Sequence, residues 1–86
     1  MYVYVVSYDT EYMAEHPVKS QALHVFTKLE DAREFYLTKF VKPFLRKHQV
    51  SEYFSFDPLT ATTKAEWDDI LQTFNETAHI EKVLMD

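Results

Sequence analysis

Eighty-six residues leave room for one hydrophobic core, so residues 1–86 are read as a single domain. Hydrophobic residues at 47% and aromatics at 16% are enough for folding without a metal or a disulfide. The chain has no glycine and no cysteine, which excludes P-loops, dinucleotide-binding fingerprints, the G-x-S-x-G elbow, thiolate catalysis and Cys-based zinc sites, and its net charge of -5 disfavours general nucleic-acid binding.

The first element is YVYVVSY, residues 2–8, β-branched and aromatic throughout. It reads as a central strand with Tyr2, Tyr4, Val6 and Tyr8 on one face and Val3 and Val5 on the other. Residues 9–20, with Pro17, read as a loop. QALHVF, residues 21–26, is the second strand. Thr27 and Glu30 then stand at capping-box spacing, which predicts a helix start. The helix that follows has Leu29, Ala32, Tyr36, Leu37, Phe40 and Phe44 on one apolar stripe. Pro43 either stops it near Lys42 or kinks it on the way to His48.

VSEYFSF, residues 50–56, alternates well enough for a third strand, and Asp57-Pro58 opens a loop. Thr63 and Glu66 form a second capping box ahead of a helix with Trp67, Ile70, Leu71 and Phe74 facing inward. Residues 78–85 read as a fourth strand, with further helix as the alternative. The order is β-β-α-β-α-β: an α+β domain in which two helices pack on one face of a mostly antiparallel sheet of three to four strands.

Charge is segregated along the chain. Residues 49–86 hold eight acids (Glu52, Asp57, Glu66, Asp68, Asp69, Glu76, Glu81, Asp86) against two bases (Lys64, Lys82). Residues 33–48 hold five bases (Arg33, Lys39, Lys42, Arg46, Lys47) against Glu34. Glu66, Asp68, Asp69 and Glu76 face outward from the second helix. They are either a solvated face that suits the helix dipole, or a row of carboxylates imitating a phosphate backbone toward a partner protein. Lys39, Lys42, Arg46 and Lys47 lie among aromatics, compatible with RNA or phosphate binding, or with ordinary cations at a helix C-terminus. Phe35, Val41 and Leu45 fall off the main stripe and either pack beneath a loop or form a partner or dimer patch.

His16, His24, His48 and His79 show no metal-ligand spacing, although His24 and His79 lie in strands that could bring them together. Ser7, His24 and Asp9 make a catalytic set on paper only, without motif support. No metal or cofactor is expected. The reading is a small acidic, non-enzymatic protein-interaction module, a regulator or inhibitor of the phage or mobile-element kind, which binds another protein through its charged surface, that partner being a nucleic-acid binder in one version. A nucleic-acid-binding module using the basic helix end, and a self-associating subunit forming a homodimer, are the alternatives. Without a signal-peptide pattern or a long apolar run, a cytoplasmic setting off the membrane is expected.

Overall fold

The structure is a computed structural model that describes residues 1–10 and 20–85. Three strands form one antiparallel sheet in the order β2-β1-β3, with β1 (Tyr2–Thr10) between β2 (Ser20–Phe26) and β3 (Ala78–Leu84). The α+β class, the central first strand and the terminal strand all match the sequence reading. Residues 11–19, most of the expected first loop, lie outside the described residues.

Strand register sorts the side chains onto two faces. Tyr4 pairs with Phe26 and Lys82, Val6 with His24 and Ile80, and Tyr8 with Ala22 and Ala78. This inner face carries the helices, and Val6, Tyr8 and Ala78 belong to the core cluster with Ala32, Tyr36, Val41, Phe54, Trp67, Ile70 and Phe74.

The first helical segment departs from the expected stripe in an informative way. It begins as α1 (Leu29–Tyr36), widens into a π turn over Leu37–Val41, and resumes as α2 (Lys42–Leu45). The Lys42 N–H reaches back five residues to the Leu37 carbonyl. A π turn holds one extra residue, so inward positions fall five apart here, and Tyr36 and Val41 are both fully buried. Pro43, just past the wide turn, has no N–H to donate, and its ring must avoid the carbonyl four residues back. The helix nonetheless continues through Pro43 to Leu45, with Phe44 and Leu45 partly buried against the core.

Two local expectations need correction. Lys28, not Thr27, is the N-cap of α1, and no side chain caps it, because lysine offers no acceptor and Glu30 sits one position short of the capping-box spacing. Residues 50–56 do not form a strand. Val50–Glu52 is a 3-10 turn, and the Phe54 N–H donates to the Val50 carbonyl at 2.9 Å. That places Val50 and Phe54 one helical turn apart, both against the helix layer, where burying Phe54 outweighs pairing at a sheet edge.

Asp57 caps the next 3-10 turn, Pro58–Thr60, by accepting from the Leu59 N–H at 3.0 Å. The expected capping box of α3 (Lys64–Thr73) is present: the Glu66 N–H donates to Thr63 Oγ1, and the Thr63 N–H donates to Glu66 Oε1. Trp67 and Ile70 are buried on α3, and Phe74 closes it. The Cα envelope measures 40 × 39 × 17 Å. Its short dimension fits one sheet plus one helix layer, and among the described residues no second layer packs on the other side of the sheet.

Candidate functional site

The acidic row of α3 is largely spoken for. Glu66 turns its carboxylate back on the helix start, where Oε1 accepts from the Thr62 N–H, the Thr63 N–H and the Thr63 hydroxyl. Those bonds, the Thr63 backbone first and then Thr62, hold the Glu66 carboxyl below its ordinary range. Asp68 is paired with Lys64 at 3.0 Å, one turn earlier on the same helix. Asp69 on α3 and Glu76, which lies in the turn after α3 and not on the helix as expected, are exposed and make no ion pair among the described residues. The structure thus leaves two unpaired carboxylates where the sequence offered four.

The cations at the basic end are free of ion pairs among the described residues. Lys39, Lys42, Arg46 and Lys47 are all exposed and, among the described residues, none pairs with a carboxylate. Lys39 instead places its ammonium 5.0 Å above the Tyr8 ring and 5.9 Å from that of Phe35. Beside these cations, Phe44 stacks on His48 with centroids 4.3 Å apart and meets Tyr53 edge-on at 4.9 Å. Phe44 and Tyr53 join Lys39, Phe40 and Phe74 around an open cleft of about 320 Å³.

The third set, Phe35, Val41 and Leu45, does not form one exposed apolar patch. The π turn rotates Val41 fully into the core. Phe35 packs between the rings of His24 and Phe26, with centroids at 4.6 and 5.4 Å, and Leu45 is partly buried against the core cluster. The paper catalytic set is not assembled either. Ser7 pairs with Leu23 and His79 on the outer face, whereas His24 lies on the inner face, where its Nε2 shares a hydrogen bond of 3.1 Å with Tyr8 Oη. His24 and His79 are therefore on opposite sides of the sheet. Among the described residues no group of three or more His, Asp or Glu could hold a metal ion. No helix among them is long and apolar enough to cross a membrane.

One surface was missed in the search for sites. The outer face of the sheet carries Val3 and Val83 as a pair, Val5 between Val25 and Glu81, and Ser7 between Leu23 and His79. Leu23 is 61% exposed and Val25 62%. Val3 is buried yet stands outside the core cluster, which lies on the other side of the sheet. The signal was present in the sequence: β1 is apolar on both faces, as a strand covered on both sides would be. Among the described residues, helices pack on the inner side alone.

Comparison with protein families, curated proteins and solved structures finds no match. The functional reading therefore rests on the residues themselves.

Proposed function

We propose that this chain is a non-enzymatic protein-interaction module, a regulator or inhibitor in kind, whose contact surface is the outer face of the sheet. One observation carries the reading: Leu23, Val25, Val5 and Val83 form an apolar sheet face with no layer packed on it among the described residues. Contiguous exposed apolar surface of this kind marks sites of protein association. Each aliphatic side chain fully withdrawn from water there would contribute roughly 1.5–3 kcal/mol. Glu81, beside Val5, adds one carboxylate that would favour a base on the partner. The lack of cysteine suits a reducing compartment, and the cytoplasm is the setting we propose.

The test is capture of a partner on the immobilised chain from nuclease-treated lysate, followed by affinity measurement with variants. Val5→Lys should abolish retention, while Asp69→Lys with Glu76→Lys leaves it intact. A folded Val5→Lys protein that binds the same partner with unchanged affinity would remove the sheet-face reading. Loss on reversing Asp69 and Glu76 instead would return the contact to the acidic helix.

A second reading has its own observation: four cations without an ion pair among the described residues, beside exposed His48 and Tyr53 and half-buried Phe44, resemble the cation-plus-aromatic surfaces that hold single-stranded nucleic acid. Engagement of all four predicts a log-log salt slope of about -3 for a single-stranded oligonucleotide. No binding at low salt would end it.

A further inference from the structure

The two edges of the sheet differ in how they are protected. β3 carries Glu81 and Lys82, the charges by which edge strands discourage pairing. β2 has no Asp, Glu, Lys, Arg or Pro between residues 20 and 26, and among the described residues it pairs with β1 alone. Its outward-facing Leu23 and Val25 are also the most exposed side chains of the apolar sheet face.

We infer that β2 pairs with β2 of a second copy of this chain, joining two three-stranded sheets into one antiparallel sheet. Charge in the two possible self-pairings selects the edge. Antiparallel pairing of β3 about its midpoint sets Glu81 directly opposite Glu81 of the second copy, a repulsive contact. The same operation on β2 sets Leu23 against Leu23 and Ala22 against His24, with no charged residue in any pair. The two-fold axis closes the contact, so growth stops at two copies. Seven residues of strand give a seam of only about 23 Å. The interface is therefore at the small end of stable contacts, and the dimer should dissociate on dilution.

The dimer goes beyond the partner-binding reading and does not depend on it. Edge pairing leaves Val5 and Val83 uncovered and doubles the width of the apolar face offered to a partner. The two ideas fail separately: Val5→Lys tests the face, and position 23 tests the edge.

Sedimentation equilibrium of the full chain over a wide concentration range provides the test. Wild type should move from monomer to dimer with rising concentration. Leu23→Lys and Leu23→Glu should each remain monomeric, because each sets like charges opposite one another, and an equimolar mixture of the two should restore the dimer. The large exposure of the Leu23 side chain keeps both substitutions out of the core. Hydrogen exchange on wild type supplies a readout without any variant: amides of β2 should gain protection with concentration while those of β3 do not. A wild type that stays monomeric at millimolar concentration would overturn the proposal. So would a dimer unaffected by Leu23→Lys, protection gained at β3, or open-ended assembly.

Discussion

The Tyr36 hydroxyl donates a buried hydrogen bond of 3.0 Å to the carbonyl of Ala78, joining the helix layer to β3 across 42 positions of sequence. The ring around that hydroxyl meets Phe40, Trp67 and Phe74 edge-on, with centroids at 5.2, 6.1 and 6.3 Å. One residue thus provides both the apolar centre of the core and the polar tie that positions the C-terminal strand. Tyr36→Phe would keep the ring but strip the Ala78 carbonyl of this partner, and should destabilise the fold by about 1–3 kcal/mol in urea titration.

The same side chain predicts behaviour in alkali. Burial pushes the Tyr36 phenol well above its usual range. A group with a raised folded value contributes stability that is complete below the unfolded tyrosine value of about 10 and is lost as pH climbs from there through the folded value. Wild type should therefore lose stability above that point, and Tyr36→Phe should lose less, as read from urea midpoints across an alkaline series.

The start of α3 gives a prediction in acid. Glu66 is held below its ordinary range by the Thr63 and Thr62 bonds, so its contribution is present above the unfolded glutamate value and lost as pH falls through the lowered folded value. Glu66→Gln should flatten that part of the acid limb of a melting-temperature profile. Thr63→Ala removes the acceptor for the Glu66 N–H and should cost about 1 kcal/mol at neutral pH. Lys64→Ala breaks only an exposed ion pair and should change stability by less than about 1 kcal/mol.

Burial separates two aliphatic residues that look alike in sequence. Val41→Ala empties a fully enclosed position beneath the π turn and should cost about 2 kcal/mol. Leu23→Ala, on the open face, should stay within about 0.5 kcal/mol in dilute solution, where the chain is monomeric. Equal losses at both positions, measured by chemical denaturation, would contradict the placement of one in the core and the other on a free surface.

Trp67 reports on all of these. It is the single tryptophan of the chain and is 2% exposed, and its Nε1–H donates to the Ala61 carbonyl at 3.1 Å beneath the Arg33 guanidinium. Its emission should be blue-shifted in the native state and shift red in one transition that coincides with far-UV circular dichroism.

Local patterns legible in the sequence are those whose cause is also local. Alternation of β-branched and aromatic residues made β1, β2 and β3 readable, and Thr63 with Glu66 marked the start of α3, because period and capping act over a few residues. What a side chain faces across the molecule was not readable in that way. Val41 looked like a stray surface residue until the π turn ahead of Pro43 turned it inward, and VSEYFSF looked like a strand until Phe54 found its place against the helices. The acids of α3 were counted as a surface, yet Glu66 and Asp68 are engaged by Thr63 and Lys64 on their own helix. By itself the sequence determined an α+β domain with an aromatic core, without glycine loops or cysteine chemistry. Only the tertiary structure decided which faces are covered: helices bury one side of the sheet, and burial depends on contacts between residues far apart in the chain. That is why the open face of Val5, Leu23 and Val25, rather than the acidic helix, is where a partner is sought.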